Sequence, residues 1–358
     1  MKFVVLLAAT TVISMSKGKV LLGMSGGVDS SVAALLLKEQ GYDILGVTLI
    51  LTQNDDGTNS QDAKKVARLL GFPHIDVDLK DEFSQNVTDY FVSEYKNGRT
   101  PNPCVVCNKK IKFGKMLEIA KENGCDYLAT GHYAKVYKND KTGLFSLVKA
   151  KSYDKDQTYF LYTLTQDVLS KVLMPLGDYE KHEVRSLAEK SGLLVAKKRD
   201  SQDVCFIPDG DKNAYLKQFL PEREGNFIDT DGNILGKHKG IFHYTVGQRK
   251  GLGMGFGKPM FVLSINPKNN TITLGEAGNE FSDRFHIENC NFIPFYEPPE
   301  SFSCLCKVRY SAKEVPCTLI KNGNGYDVLL DEQARAITPG QAAVFYAEDE
   351  LIGGGTIV

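Results

Sequence analysis

The chain has 358 residues, of which 42% are hydrophobic and 24% charged, with 33 glycines and 13 prolines. This composition is typical of a globular protein of two or three domains, and it excludes collagen-like, coiled-coil and wholly disordered chains. The 43 lysines and arginines are balanced by 44 aspartates and glutamates, so a polyanionic partner has to meet a local basic patch. Eight cysteines are too few for a disulfide-stapled secreted scaffold, and we expect reduced thiols and a cytoplasmic location.

The N-terminal region contains an apolar run at residues 3–13, preceded by Lys2. The run is shorter than the ~20 residues that span a bilayer, and no membrane partner is expected. It has the charge and length of a signal peptide but lacks a clear small-residue cleavage site. We therefore expect residues 1–14 to be a non-native or signal-like extension and natural synthesis to start at Met15.

The first two hundred residues alternate β-rich runs with helical patterns, which predicts an α/β domain whose parallel sheet has helices on both faces. Two further β-type runs, at 134–138 and 144–149, flank turn-forming residues and predict a hairpin. We assign residues 15–207 to this domain. The predicted strands are 19–24, 44–51, 74–79 and 127–130, and the predicted helices are 29–40, 62–70, 81–96, 109–122 and 179–191.

Beyond residue 207 the chain becomes rich in glycine, with short β-type runs between the glycines. This texture predicts a small central β-rich domain over residues 208–280. Residues 281–358 carry several short strands separated by turns, a pattern typical of a small β-barrel. The strands predicted there are 303–310, 315–320, 326–330 and 342–347.

The segment GMSGGVDSS at residues 23–31 lies where the first predicted strand meets the first predicted helix. Its glycines let backbone N–H groups surround an oxyanion at the positive end of the helix dipole. Val28 and Asp29 stand where a Walker A loop has glycine and lysine, so that motif is excluded. The segment resembles the PP-loop of the N-type ATP pyrophosphatases, the alternative being a plain glycine turn. Asp29 either helps to place Mg²⁺ on the phosphates or stabilises the helix end.

Cys104 and Cys107 form a Cys-x-x-Cys pair before a lysine-rich helix. Such a pair is half of a zinc site, a redox pair or part of an iron–sulfur site, and the absence of a second such pair in the sequence disfavours structural zinc. The helix start and the lysines are expected to lower the pKa of Cys107. Cys205 is isolated, which by itself is typical of packing. Packing in the core is also expected for Cys125, Cys290, Cys304, Cys306 and Cys317.

Six ordered motifs, spread over nearly the whole chain from Met15, together resemble one family, the tRNA-uridine 2-sulfurtransferases or tRNA 2-thiouridylases. The resemblance implies a PP-loop catalytic domain, a central β-rich tRNA-binding domain and a C-terminal β-barrel, in agreement with the residue patterns. The motifs are GMSGGVDSS at 23–31, TPNPCVVCNKKIKFG at 100–114, ATGHYAKV at 129–136, KDQTYFLY at 155–162, SQDVCFI at 201–207 and YTVGQRKGLG at 244–253.

The resemblance also implies roles for individual residues. Cys107 matches the family's nucleophile, and Cys205 matches the cysteine that carries a persulfide. Cys104 stands where other members have Asp, which leaves it open as a base contact, a redox partner or a cluster ligand. ATP binding is implied for Gly23, Met24, Ser25, Gly26, Gly27, Val28, Asp29, Ser30, Leu49 (Met in many members) and Gly131. Contact with tRNA is implied for Asn102, Pro103, Cys104, Lys155, Asp156, Gln157, Arg309 and Tyr310.

The activity implied is ATP-dependent 2-thiolation of the wobble uridine in tRNAs for Lys, Glu and Gln. Adenylation of the C2 oxygen would come first, and sulfur would then be transferred from a persulfide. A cysteine desulfurase or a sulfur-relay protein would load that persulfide. ATP with Mg²⁺ is the expected co-substrate, and no resident metal is expected. Alternatives are another PP-loop ligase, an iron–sulfur cluster as sulfur source, which we do not favour, and an RNA-binding module without turnover. Phosphate contacts are expected from Lys109, Lys110, Lys112, Lys115, Arg249 and Lys250.

Overall fold

The computed structural model describes residues 16–196, 198 and 204–358. The predictions on residues 1–14, and on residues 201–203 of the motif at 201–207, lie outside the described residues. In the part of the chain that is described, no helix combines the length and the apolar character that a membrane crossing requires.

The α/β domain is built on a parallel sheet of five strands. These are β1 (Lys19–Gly23), β2 (Asp43–Ile50), β3 (His74–Asp78), β4 (Tyr127–Ala129) and β7 (Val172–Leu173). The strand order is β3-β2-β1-β4-β7, and every neighbouring pair is parallel. The central strand β1 is buried along its apolar run, as expected for a sheet covered on both faces.

Helices cover both faces of this sheet. One face carries α1 (Val28–Glu39), α2 (Thr58–Leu70) and α8 (Lys181–Lys190), which share one apolar cluster. The helices on the other side are α3 (Lys80–Phe83), α4 (Asp89–Lys96), α5 (Pro103–Cys107) and α6 (Met116–Glu122), and the chain also forms the short α7 (Gln166–Leu169) and α9 (Lys212–Leu216). Two π-helical stretches, Ser84–Thr88 and Asn108–Lys115, join α3 to α4 and α5 to α6.

The helix predicted at 109–122 begins earlier than expected, at Pro103. Proline at the first helical position is favoured because its missing N–H has no intrahelical partner there. The sequence pattern placed Cys104 and Cys107 before the helix and so missed its first turn. The consequence for the site is that Cys104 and Cys107 are both helical residues.

The central domain is a four-stranded sheet with its own apolar core. Its strands are β8 (Gly225–Ile228), β9 (Ile234–His238), β10 (Met260–Asn266) and β11 (Thr271–Glu276), in the order β10-β11-β8-β9. Phe227, Val262, Ile272 and Leu274 are fully buried at its centre. The small β-rich unit predicted after residue 207 is therefore present.

The C-terminal region forms a closed barrel of six antiparallel strands. They are β12 (Phe281–Phe292), β13 (Ser301–Lys307), β14 (Val315–Asn322), β15 (Gly325–Arg335), β16 (Ala342–Ala347) and β17 (Glu350–Ile357). The order is β12-β15-β14-β13-β16-β17, and pairing of β12 with β17 closes the circle. The predicted fold class, a parallel-sheet domain followed by a β-rich domain and a barrel, is confirmed.

The predicted hairpin forms from β5 (Lys135–Lys138) and β6 (Phe145–Val148), but it does not belong to the parallel sheet. Glu350 of β17 pairs with Val148 of β6, so the hairpin extends the barrel sheet. Turn residues determine a hairpin locally but do not determine which distant strand its edge meets.

The barrel also holds the segment that leads into α5. The backbone N–H of Thr100 donates to the Pro339 carbonyl at 2.9 Å, and the Gln341 side-chain amide donates to the Thr100 carbonyl at 2.8 Å. Gly340, between them, has φ +90, and a Cβ there would lie 3.0 Å from the Arg99 Cβ. Close packing of the two backbones thus positions α5 and its cysteines.

Candidate functional site

The glycine-rich loop joins β1 to α1, the strand–loop–helix context that the sequence predicts. Gly26 has φ +65, and a Cβ at this position would lie 2.4 Å from the Asn59 backbone oxygen, so only glycine fits. The Ser30 hydroxyl accepts a hydrogen bond from the backbone N–H of Ser25 at 3.2 Å and closes the turn. Gly27 is the N-cap residue of α1 and has no side chain to cap the helix. The loop therefore presents the positive helix end without a capping oxygen from that residue.

Two lysines bring positive charge to this loop. Lys181 donates to both carboxylate oxygens of Asp29, at 2.8 and 2.9 Å, and the Tyr133 hydroxyl donates to the same carboxylate at 2.7 Å. The Lys198 ammonium donates to the Gly26 carbonyl at 3.1 Å and also binds side chains of α2. The Asp29 carboxylate, expected to help place Mg²⁺ or to stabilise the helix end, is thus already paired with a cation.

The two predicted ATP contacts outside the loop lie at the same edge of the sheet. Gly131 follows β4, and a Cβ there would lie 2.9 Å from the backbone nitrogen of Ser30 in the first turn of α1. Leu49 is half-buried near the carboxyl end of β2, the other neighbour of β1. Ligands of open parallel sheets bind at this carboxyl edge. The structure therefore places the predicted ATP residues at one edge of the sheet.

The cysteines singled out in the sequence also come together. Cys104 is exposed, Cys107 is buried, Cys205 is exposed, and all three thiols are free. The charge of Cys205 acts to raise the pKa of both Cys104 and Cys107, so the three thiols lie within electrostatic reach of one another. Phe206 anchors the segment that carries Cys205, since its ring packs edge-on against Phe83 and Phe91 with centroids 5.7 and 5.3 Å away.

The expectation that Cys107 has a lowered pKa is wrong. Burial raises the pKa of Cys107 to about 11, because the thiolate loses its hydration in the core. The predicted helix start lies instead at Pro103, and Cys107 is the last residue of α5 rather than the first of a helix. Lys112 is the one group that acts to lower the pKa of Cys104 and Cys107, and it also acts to lower the pKa of Cys205.

The π-helical stretch after α5 explains why Lys112 is the lysine that reaches these thiols. In a π-helix residues five apart are bonded through the backbone, whereas an α-helix bonds residues four apart. Lys112 follows Cys107 by five positions in the stretch Asn108–Lys115. Its ammonium is therefore turned toward the cysteines, while Lys109 and Lys110 are exposed. Among the described residues, no group of three or more His, Cys, Asp and Glu side chains is arranged to hold a metal ion.

Comparison with known proteins identifies the domains and the family of this chain. Family models match residues 18–209 (tRNA methyl transferase HUP domain), 213–276 (tRNA methyl transferase PRC-barrel domain) and 282–357 (Aminomethyltransferase beta-barrel domain). The tRNA-specific 2-thiouridylase MnmA of Clostridioides difficile (strain 630) is 49% identical over 352 residues, which are 95% of this chain and 98% of the relative. The protein of the same name from Clostridium kluyveri is 49% identical over 95% of this chain and 99% of its own.

The chain belongs to the tRNA-specific 2-thiouridylase family. The predicted family is therefore confirmed. Two of the domain descriptions name a tRNA methyl transferase, but the names of these relatives do not mention methyl transfer. Among solved structures, an NMN synthetase from Francisella tularensis aligns over 52% of this chain and 67% of its own, with a TM-score of 0.34 and 16% identity. That agreement is too weak to carry an argument.

Asn102, Pro103 and Cys104, which the family resemblance assigns to tRNA contact, lie at the start of α5, whereas Lys155 and Gln157 belong to another segment. Asn102 and Pro103 begin this helix, and Pro103 is buried. Lys155 and Gln157 are half-buried, and the backbone N–H of Tyr133 donates to the Gln157 side chain at 3.0 Å.

Asp156, another of these predicted contacts, points inward. It is 8% exposed and accepts hydrogen bonds from the Ala150 N–H at 3.0 Å and from the Thr158 hydroxyl at 2.5 Å. Burial raises the pKa of the Asp156 carboxyl. In this structure, therefore, the side chain stabilises its own loop, and its neighbours Lys155 and Gln157 are the more accessible members of the motif.

Arg309 and Tyr310 occupy the loop after β13. The Arg309 guanidinium donates to the carbonyls of Val246 in the central domain and Ala336 in the barrel, at 3.1 and 2.6 Å. Arg309 thus joins two domains. The Tyr310 ring is 38% exposed, lies against Phe160 with centroids 4.6 Å apart, and has the Lys307 ammonium 5.5 Å from its centroid.

Three residues of the site have no place among the sequence predictions. Tyr133 belongs to the motif at 129–136, and its position in that motif is the one sequence signal that points to the site. Lys181 begins helix α8, far along the chain, and Lys198 lies beyond the end of that helix. The local sequence around neither lysine indicates that it contacts the loop between β1 and α1. Their positions depend on the packing of α8 against α1, which only the fold reveals.

Proposed function

We propose that the chain catalyses ATP-dependent 2-thiolation of the wobble uridine in tRNAs of the Lys, Glu and Gln type. Membership of the 2-thiouridylase family supports tRNA 2-thiolation itself. The observation that carries the mechanism is the neighbourhood of two free thiols, Cys107 and Cys205, from distant parts of the sequence. A nucleotide loop at the same domain's sheet edge supports the use of ATP.

The first step activates the base. The C2 oxygen of uridine is a poor leaving group, so it attacks the α-phosphate of ATP and pyrophosphate departs. The loop backbone and the N-terminus of α1 face the phosphates, and Lys181 and Lys198 add positive charge where pyrophosphate forms. The ATP phosphates would hold Mg²⁺, which would offset their negative charge.

The second step transfers sulfur. Cys205 carries a persulfide, loaded by a cysteine desulfurase or a sulfur-relay protein, and its terminal sulfur attacks C2 while AMP leaves with the former C2 oxygen. Cys107 then attacks the inner sulfur of Cys205. The bond between that sulfur and the transferred sulfur breaks, which releases 2-thiouridine and leaves a Cys107–Cys205 disulfide. An external dithiol returns both cysteines to thiols. The exposure of Cys205 suits loading by a protein donor, and the burial of Cys107 shields it from other electrophiles.

The protonation of Cys107 limits this second step. Because burial holds the pKa of Cys107 at about 11, most of the protein carries a neutral thiol at pH 7. Lys112 opposes burial and raises the thiolate fraction of the attacking cysteine. A buried and neutral Cys107 thiol reacts slowly with oxidants in the free protein.

Binding of tRNA depends on local positive charge, since the net charge is −1. Lys109 and Lys110 beside the thiols, and Arg249 and Lys250 in the central domain, are exposed. Each phosphate contact releases counterions, so the affinity for tRNA falls as salt rises. Affinity that does not change with salt would contradict this binding mode.

Mass spectrometry of nucleosides tests the proposal directly. Unmodified tRNA is incubated with the protein, ATP, Mg²⁺, a cysteine desulfurase and cysteine, and 2-thiouridine at the wobble position is expected only when ATP is present. Cys107→Ser and Cys205→Ser are expected to lose thiolation completely, while tRNA-dependent pyrophosphate release continues. Cys125→Ser, at a partly buried cysteine outside the site, is the matched control and is expected to keep full activity. Normal thiolation by either site variant would refute the assigned roles.

Iron analysis separates this mechanism from sulfur supply by a cluster. Protein purified without oxygen is expected to carry no stoichiometric iron and to thiolate tRNA with a persulfide donor. Activity that requires reconstituted iron and sulfide would replace the persulfide mechanism with a cluster mechanism, without affecting the assignment of ATP to the loop.

A further inference from the structure

A second group of thiols lies in the barrel and has no role in the proposed sulfur transfer. Cys304 and Cys306 point to the same side of β13, because alternate residues of a strand share a face. Cys304 is paired directly with Cys317 of β14. The Sγ atoms of Cys304 and Cys317 are 3.6 Å apart, and all three thiols are free.

The cluster is better suited to oxidation than to metal binding. In the described ranges, no group of three or more His, Cys, Asp and Glu side chains is arranged to hold a metal ion. The three barrel cysteines therefore do not form a metal site in this structure. Directly paired residues of antiparallel strands have Cβ atoms about 4.5–5.5 Å apart, close to the ~3.5–4.5 Å that a disulfide needs. The sulfur atoms already touch, so a modest side-chain rotation brings them to bonding distance.

Access to the pair is restricted to small reagents. Cys317 is 2% exposed, and Cys304 is half-buried at the more open end of the cluster. A hydroperoxide is small enough to approach the half-buried Cys304. Burial raises the pKa of Cys306, and hydrogen bonding to Cys317 raises the pKa of Cys304 and Cys306, while the same contacts lower the pKa of Cys317.

We propose that Cys304 and Cys317 form an oxidation site, which a hydroperoxide converts into a cross-strand disulfide between β13 and β14. The peroxide oxidises one thiol to a sulfenic acid and is itself reduced to water or the corresponding alcohol. The other sulfur then attacks the sulfenic sulfur, the S–O bond breaks as the S–S bond forms, and a second molecule, water, leaves. The two thiols lose two electrons and two protons in total, and the peroxide gains them.

The disulfide would join neighbouring strands of the barrel beneath its contact with the α/β domain. Leu305, between the two cysteines of β13, packs on the other side of the strand against the core of that domain. Constraining β13 and β14 lowers the entropy of the unfolded chain, so the oxidised protein is expected to melt at a higher temperature than the reduced protein. This inference is independent of the proposed function.

Peptide mapping of the full chain tests the site. Reduced protein, freed of reductant, is treated with hydrogen peroxide, alkylated and digested with trypsin. Cys317 falls in the peptide 314–321, whereas Cys290, Cys304 and Cys306 share the peptide 285–307. The two peptides are expected to be linked, with the loss of two hydrogen atoms, and to separate on reduction.

Matched variants identify the sulfur that is used. Cys304→Ser is expected to abolish the link, and Cys306→Ser to preserve it, with both variants melting like the reduced wild-type protein before oxidation. Should Cys304→Ser melt lower, Cys304→Ala replaces it in the same comparison. The proposal would be overturned by a link that persists without Cys304. It would also be overturned if peptides 285–307 and 314–321 stayed unlinked at a peroxide dose that oxidises Cys104.

Discussion

Burial and a nearby cation act in opposite directions on Cys107. The sequence shows the lysines around this thiol but not its depth, because burial depends on α5 packing against distant strands and the barrel. Burial is the larger effect and raises the pKa to about 11. A cysteine in a lysine-rich segment is thus not automatically a reactive one.

Replacing Lys112 with methionine is expected to slow the reaction of Cys107 at neutral pH. The substitution removes the one cation that lowers the pKa of this thiol, and below the pKa each unit of further increase reduces the thiolate fraction about tenfold. The alkylation rate of Cys107 by iodoacetamide, followed by peptide mass spectrometry from pH 7 to 10, is the measurement. It is expected to rise with pH in both proteins, and the variant curve is displaced to higher pH.

Lys110→Met is the control, since Lys110 is exposed on the same helical segment and has no effect on the thiol. Equal curves for Lys112→Met and the wild-type protein would show that Lys112 does not influence the nucleophile.

Cys104 is expected to be dispensable for sulfur transfer. The proposed mechanism uses two cysteines, so Cys104→Ala should keep wobble thiolation within about threefold of the wild-type rate, a change of less than ~1 kcal/mol in barrier. The measurement is the initial rate of 2-thiouridine formation with a persulfide donor. Complete loss of activity in Cys104→Ala would make Cys104 part of the chemistry and favour a cluster or a three-thiol relay.

At the scale of elements, four of the five strands of the parallel sheet and its longer helices follow closely from the sequence because each carries its own apolar period and its own stop signal, whereas the two-residue strand β7 was not predicted. The π-helix at Asn108–Lys115 does not, since its hydrogen-bond pattern has no composition signature. That stretch decides which lysine faces the cysteines. The same limit applies to the hairpin of β5 and β6, whose turn was predicted but whose partner strand was not.

The loop between β1 and α1 is expected to tolerate no side chain at Gly26. In Gly26→Ala the Cβ meets the Asn59 backbone at 2.4 Å in addition to the strain of a positive φ, so the loop must move and ATP-dependent pyrophosphate release is lost. Gly41→Ala is the matched control, because Gly41 also has a positive φ but nothing lies within 4 Å of its Cβ position.

The control is expected to lose about 1–2 kcal/mol of stability through backbone strain alone and to keep its activity. The measurements are tRNA-dependent pyrophosphate release and urea unfolding. A fully active Gly26→Ala protein would contradict the assignment of ATP to this loop.

For the whole molecule, the order of the three domains could be read from the sequence, but their docking could not. The contact that matters for the site is the one between the barrel loop around Gly340 and the segment 99–102 before α5. Arg309 similarly joins the barrel to the central domain, although sequence comparison suggests only a contact with tRNA. Such roles depend on distances between chain segments that no local pattern contains.

Gly340→Val is expected to loosen the barrel from the catalytic segment. Its side chain meets Arg99 and Thr100 at 3.0–3.1 Å, so we expect a loss of roughly 2–4 kcal/mol from strain and overpacking together. Thiolation should fall further than that of Gly323→Val, which has a positive φ in a barrel turn and open space around its Cβ. Thermal unfolding and thiolation rates of the two variants are the measurements. Equal behaviour would show that docking does not position α5.

The most direct measurement is a single turnover without reductant. Protein carrying a persulfide on Cys205 is mixed with tRNA, ATP and Mg²⁺, and 2-thiouridine, AMP and cysteine-linked peptides are quantified together. We expect one disulfide between Cys107 and Cys205 for each 2-thiouridine and each AMP formed. Thiolation with both cysteines left as thiols, or with Cys107 linked to Cys104 instead, would contradict the account.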